Sequence, residues 1–215
     1  MEILNLRSQR NAFTFHRKPT KFFNTFFMER LIITDKKFNF QNVRRWLGRP
    51  GQKTNVQTFE KIIIPINITN SHWTLLVIFM DEKLILYIDG KPTKVADLYL
   101  TAAHQWLSCE GVDVSNFTLG KMTNNPKQPK GDGFNCGVMV CMAADFISDN
   151  LRLEFQSVDS DNYRYLMGNS ILNADFQMPQ SNLPVNAAFY NYQKVQPNLN
   201  HQVFIDGDYT GYIAR

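Results

Sequence analysis

Residues 72–90 run HWTLLVIFMDEKLILYIDG. Two apolar, β-rich runs, Trp73–Met80 and Leu84–Ile88, flank the polar tripeptide Asp81-Glu82-Lys83, a turn signal that sends the chain back antiparallel. Both alternate faces of each run are apolar, as in central strands covered on two sides, and Ile62–Ile68 upstream has the same character. The three runs predict the core of a sheet. About a midpoint between Met80 and Asp81, His72 falls opposite Asp89 or one step diagonal, with Cβ atoms roughly 4.5–8 Å apart. An Asp beside a His can hold one ring nitrogen as a donor and stabilise the imidazolium, the orienting role in a nucleophilic triad. Taken singly, both have plainer readings: Asp89-Gly90 is a common turn dipeptide, and a His at a strand end is usually a polar rim residue.

A nucleophile lies downstream. Cys136–Ile147 is apolar nearly all round, which marks a buried helix, and Asn135 suits its N-cap. A thiol in the first turn sits where unpaired N–H groups and the helix dipole favour the thiolate. Cys141, deeper in the same helix, reads as a small core residue, and Cys109 as a helix-end thiol without local activation. Acyl transfer also needs donors aimed at the developing oxyanion. The backbone N–H of Cys136 is one candidate and the side-chain amide of Gln128, eight residues earlier, is another, although a solvated loop Gln is the plainer reading.

Around this core, Phe22–Leu31 and Phe38–Leu47 have the periodicity of short amphipathic helices, the second ending before Gly48 and Pro50. A polar linker covers residues 49–58. A helix is expected between Pro92 and Cys109, a strand over Phe117–Met122, a polar loop over residues 123–133 and a last helix from Asp161 to about Leu172. From Asp175 onward ten of 41 residues are Asn or Gln and three are Pro, so an appendage is expected rather than core.

The chain has 215 residues, 44% hydrophobic, 13% aromatic and 20% charged. That excludes wholesale disorder and suits roughly one domain of about 100–200 residues. No apolar stretch reaches the roughly 18–20 residues of a spanning helix, and the N-terminus is not a signal peptide, so an intracellular protein without membrane attachment is expected. Three cysteines without CxxC spacing predict reduced thiols and no metal site. The net charge of +4 is uneven: residues 1–49 carry 11 Lys/Arg against 3 Asp/Glu. The basic end suits an acidic partner or a solvated surface, and no nucleic-acid signature accompanies it.

His72-Trp73, Asp89, Gln128-Pro129 and Gly133-Phe134-Asn135-Cys136-Gly137-Val138 together resemble the Ulp/SENP family of ubiquitin-like-modifier (SUMO)-specific cysteine proteases. Pro65-Ile66-Asn67, Val43-Arg44-Arg45-Trp46 and Phe22-Phe23-Asn24-Thr25-Phe26-Phe27 are also similar to its catalytic domain, and the resemblance covers roughly Lys21 to Asn173. It implies an α+β, papain-like (adenain-like) fold with a mixed sheet packed against the buried helix that carries the catalytic Cys. Residues 1–20 are then a divergent or truncated N-terminal segment, lacking the Trp that forms one wall of the family's substrate tunnel. Residues 21–174 are the protease domain and 175–215 the polar appendage. The resemblance implies His72 as general base, Asp89 as its orienter, Cys136 as nucleophile, Gln128 as oxyanion donor and Trp73 as cover for the substrate's C-terminal strand. Gln128 stands slightly farther from Cys136 than in the family, with Asp132-Gly133 resembling inserted loop residues. The implied partner is a ubiquitin-like modifier such as SUMO or its conjugates, met by a monomer in the nucleus or cytoplasm without a cofactor. Two other readings share the residues: a viral-type maturation protease or acetyltransferase with the same triad, and a non-catalytic modifier-binding module.

Overall fold

Strands Lys61–Ile68, His72–Phe79 and Leu84–Ile88 form the centre of a six-stranded mixed sheet. A computed structural model describes residues 1–33, 36–49, 51–91, 93–173 and 190–196. Numbered along the chain, β1 is Thr20–Phe22, β2 Ile32–Ile33, β3 Lys37–Phe38, β4 Lys61–Ile68, β5 His72–Phe79, β6 Leu84–Ile88, β7 Thr118–Met122 and β8 Tyr192–Val195. The large sheet has the order β1-β4-β5-β6-β7-β8, while β2 and β3 form a separate small ladder. The β1–β4 and β6–β7 pairs are parallel and the other three antiparallel.

The hairpin register differs from the expected one. Phe79 pairs with Leu84 and Leu75 with Ile88, because Met80–Lys83 form a four-residue loop that Lys83 closes in the left-handed region at φ 52°. Loops of this length are commonly built on a tight turn and need such a residue to rejoin the ladder. The midpoint moves one residue along, and Asp89 stands two positions diagonal from His72 rather than opposite it. That separation is still within reach of long side chains.

Among the described residues five α-helices cover the sheet: α1 Glu2–Phe15, α2 Phe26–Leu31, α3 Ala96–Cys109, α4 Cys136–Ser148 and α5 Ser160–Leu172. On one face Ile62, Ile64, Ile66, Leu76, Ile78, Ile85 and Tyr87 pack with residues of α2 and α3. On the other, Ile63, Leu75, Val77, Leu86 and Ile88 pack with α4 and Tyr163 of α5. Strand alternation thus feeds two cores, the two-sided burial that the apolar runs predict.

Two expected helices are shorter or absent. Residues 20–22 extend into β1, whose pairing continues through Phe23 N–H to the Ile63 carbonyl (2.9 Å), and only from Phe26 does the chain coil. Asn24 Oδ1 accepts the Phe26 N–H at 3.0 Å and opens that helix. Phe38–Leu47 is not an α-helix. It comprises β3, a 3-10 turn at Phe40–Asn42 and further turns, which suffice to bury Phe40, Val43 and Leu47. Phe23 and Phe27 stack at 4.1 Å, with Trp46 and Trp106 edge-on to both. Pro50, Pro92 and residues 174–189 and 197–215 lie outside the described residues. Within the polar C-terminal stretch, Tyr190 is buried against Phe79, and Tyr192–Val195 pair with β7 as β8.

Residues 1–20 supply α1, which ends at His16 in the left-handed conformation and packs on β1 and α4. Arg7 is 3% exposed. It pairs with Asp145 and, at 2.7 Å, with Asp149, and donates to Ser148 Oγ at 2.9 Å. Arg17 also reaches Asp149, at 3.1 Å, and Tyr163 O–H donates to Asp145. Burial pushes the Asp145 carboxyl up to about 6, against the opposing pull of Arg7 and the Tyr163 hydrogen bond. No helix among the described residues is long and apolar enough to cross a membrane.

Arg7→Met leaves Asp145 buried without a cation. Urea unfolding should show a loss of about 3–5 kcal/mol, the usual cost of removing one partner of a buried pair. Asp145→Asn should cost less in the Arg7→Met background than in the wild type.

Candidate active site

β5 begins at His72 and α4 begins at Cys136, and Trp73 joins the two ends. A Cβ on Gly137 would lie 3.3 Å from Trp73 Cδ1, so the indole rests directly on the first turn of the helix. Only a residue without a side chain permits that approach without displacing the ring. His72 opens the same strand, beside Asp89, which follows the end of β6. His72 Nε2 donates to Asp89 Oδ1 at 2.7 Å. With Nε2 committed as donor, Nδ1 is the ring nitrogen left to exchange a proton.

Asp89 is 8% exposed and fully engaged. Its Oδ1 also accepts the Lys91 N–H at 2.8 Å, and its Oδ2 accepts the Thr93 hydroxyl at 2.9 Å. The Asp89 carbonyl accepts from Asn125 Nδ2 at 2.8 Å. Neither Thr93 nor Asn125 stands out as an anchor in the sequence. The Asp-Gly-Lys turn does carry a signal, since an Asp bonding the N–H two residues on is an Asx-turn, and such a turn fixes its carboxylate.

Trp73, Gly90, Asn125, Gln128 and Cys136 line one small cavity, floored by Leu75, Ile88 and Met139. The structure therefore brings Gln128 to the cavity that Cys136 lines, despite the longer interval. The Gln128 backbone N–H donates to the Gly90 carbonyl at 2.9 Å, tying this loop to the residue after Asp89. Its Nε2 donates to the Asp132 carbonyl at 2.8 Å, which uses one of two amide hydrogens and leaves one. Asn125 is spent on the carbonyls of Asp89 and Pro126.

Asn135 occupies the N-cap position, yet its side chain makes no capping bond. Its Nδ2 instead donates to Asp132 Oδ2 at 2.9 Å. The N–H groups at the start of α4 are thus not occupied by the cap side chain, and their partial positive charge faces the Cys136 position. The three cysteines are free thiols. Burial raises Cys109, with Glu110 adding to it, and burial likewise raises Cys141. Among the described residues no group of three His, Cys, Asp or Glu side chains could hold a metal ion.

A family model described as the Ulp1 protease family, C-terminal catalytic domain, matches residues 1–178. The chain belongs to the Ulp1 protease family. Ubiquitin-like-specific protease 1 of Saccharomyces cerevisiae is 31% identical over 158 residues, 70% of this chain and 24% of that protein. Putative ubiquitin-like-specific protease 1B of Arabidopsis thaliana is 29% identical over 179 residues, 80% of this chain and 51% of that one. The chain thus spans about a quarter to a half of these relatives. The X-ray structure of the C-terminal Ulp1 protease domain in complex with Smt3, the yeast orthologue of SUMO, superposes with a TM-score of 0.65 at 28% identity, covering 81% of this chain and 76% of that one. The α+β papain-like fold implied by the sequence is the Ulp1 catalytic-domain fold.

Alkylation by limiting iodoacetamide at neutral pH should mark Cys136 first, because the N–H groups at the start of α4 face it, whereas burial disfavours the thiolates of Cys109 and Cys141. Peptide mass mapping of the adducts checks this; preferential labelling of Cys109 would contradict it.

Proposed function

We propose that this chain is a thiol peptidase that cleaves after the Gly-Gly tail of a ubiquitin-like modifier such as SUMO, in precursor processing or deconjugation. The 2.7 Å bond between His72 and Asp89, at the strand end that Trp73 joins to Cys136, carries the reading. Membership of the Ulp1 protease family supports the reaction class, and the Smt3 complex of the structural relative supports the partner class.

In this reading His72 Nδ1 takes the Cys136 proton and the thiolate attacks the carbonyl carbon of the terminal glycine. The tetrahedral oxyanion lies against the Cys136 N–H and the free amide hydrogen of Gln128. As the C–N bond breaks, His72 returns its proton to the departing amine and leaves a thioester. Water, deprotonated by His72, then attacks the thioester and releases the modifier's carboxylate and the thiol. Asp89 keeps Nε2 protonated and stabilises the imidazolium in both steps.

Trp73 covers the route by which the tail enters. A β-carbon on either terminal glycine would push the indole or the facing backbone aside, and a displacement of about 1 Å at the reacting carbonyl can cost roughly 10²-fold in rate. Matched modifier substrates ending in Gly-Gly should therefore be cleaved much faster than Ala-Ala ones, and Trp73→Ala should narrow the difference. Equal rates in the wild type would favour the viral-type or acetyltransferase chemistry.

Cys136→Ala should abolish turnover, His72→Ala nearly so, and Asp89→Asn less completely. Gln128→Ala should lose about 10²–10³ in kcat with KM little changed. A modifier-derived probe with a thiol-reactive group after Gly-Gly should label Cys136. Binding of that probe without labelling would instead indicate a non-catalytic modifier-binding module.

A further inference from the structure

Asp132 has no role in the scheme above, yet its carboxylate and main-chain carbonyl together join three stretches of chain around Cys136. Oδ1 accepts the backbone N–H of Phe134 at 3.2 Å and of Asn135 at 3.0 Å. Oδ2 accepts from the Asn135 side-chain amide at 2.9 Å and from the hydroxyl of Ser157, which opens the 3-10 turn preceding α5. Asn135 Nδ2 lies 3.3 Å from Ser157 Oγ as well, closing the triangle. The main-chain carbonyl of the same residue is the acceptor for Gln128 Nε2.

This is a different use of the loop from the one its sequence suggests. The extra residues before Cys136 let the chain double back: Asp132 N–H donates to the Pro129 carbonyl at 3.1 Å, and Gly131 takes φ 93° to complete the turn. Without that turn the Asp132 carbonyl would not meet the side chain of a residue four positions earlier. A carboxylate is suited to the hub because it accepts at both oxygens and offers about four lone-pair sites. An amide in its place would turn a donor toward Asn135 Nδ2 or Ser157 O–H.

We propose that Asp132 is a positioning residue for the peptidase reaction: it locks Gln128 and the entry to α4 into one frame, so that the amide donor and the Cys136 thiol address the same carbonyl. The proposal rests on the thiol-peptidase reading for its consequence and on the hydrogen bonds alone for its geometry. Desolvation opposes the charge of Asp132, but the hydrogen bonds from Ser157, Asn135 and the Phe134 N–H outweigh it and hold the carboxyl well below the usual carboxylate range. It is an anion throughout neutral pH, so its influence does not vary there.

The test is a double-variant cycle on the full chain, with a fluorogenic modifier ending in Gly-Gly as substrate. Asp132→Asn should lower kcat by about 10- to 10²-fold, the scale of a small misplacement of a catalytic group. KM should stay within about twofold, and the factor should be constant across neutral pH. In the Gln128→Ala background the same substitution should change kcat less than twofold, because the group it positions is gone. Ser157→Ala, which removes a single donor, should act in the same direction by a smaller factor. A wild-type kcat in Asp132→Asn, or effects of Asp132→Asn and Gln128→Ala that simply multiply, would overturn the proposal.

A second readout is independent of turnover. The side-chain amide signals of Gln128 in the ¹⁵N-labelled chain should shift in Asp132→Asn while those of the sheet core stay in place; unmoved Gln128 signals would overturn the proposal whatever the activity. If those signals shift but the wild type cleaves no modifier substrate, the arrangement stands and the peptidase reading fails.

Discussion

How closely α4 can lie on β5 governs the whole site. The missing side chain of Gly137 lets the Trp73 indole rest on the helix, and that contact sets the separation between the end of a strand and the start of a helix. His72, the first residue of that strand, meets Asp89 in a turn of its own. One packing contact and one hydrogen bond thus tie together segments that are far apart in sequence.

Residues whose neighbours follow a strict period were legible in advance. The two-sided burial of β4, β5 and β6 was written in uninterrupted apolar runs, and the thiol at Cys136 in the switch from polar loop to apolar helix. The His72–Asp89 pairing was legible although the register was not, because the turn's left-handed closure at Lys83 depends on backbone geometry that a polar tripeptide leaves open. The same limit affected Phe38–Leu47, where residues spaced for a helix are buried by successive turns instead. Asp132 was illegible for a different reason. Its partners Gln128, Asn135 and Ser157 are drawn together only after the loop has folded back.

The basic N-terminal segment, residues 1–49, illustrates what charge counting misses. Arg7 and Arg17 belong to the interior economy of the fold, meeting acids on α4, while Lys18 meets Asp81 at the hairpin loop. α4 looks like an uncharged helix from Cys136 to Ala144, but Asp145 is fully buried, and a carboxylate there requires a cation from another part of the chain. That cation comes from α1, so the helix that begins at Cys136 is held at both ends: by Trp73 at the first turn and by Arg7 at the last.

At the far side of the sheet β8 adds a consequence of another kind. Its four residues pair with β7, the Tyr192 ring fills the space over Gly120, and Asn191 accepts the Thr123 N–H at 2.8 Å. These residues lie beyond 1–178, the span shared with the family model. A chain ending at that boundary would present β7 as a bare edge, with unpaired N–H and C=O groups and a glycine-floored notch, the kind of strand that recruits another copy of itself. β8 covers that edge and becomes the outer strand of the described sheet itself, supplied by a stretch whose composition gives no hint of a strand.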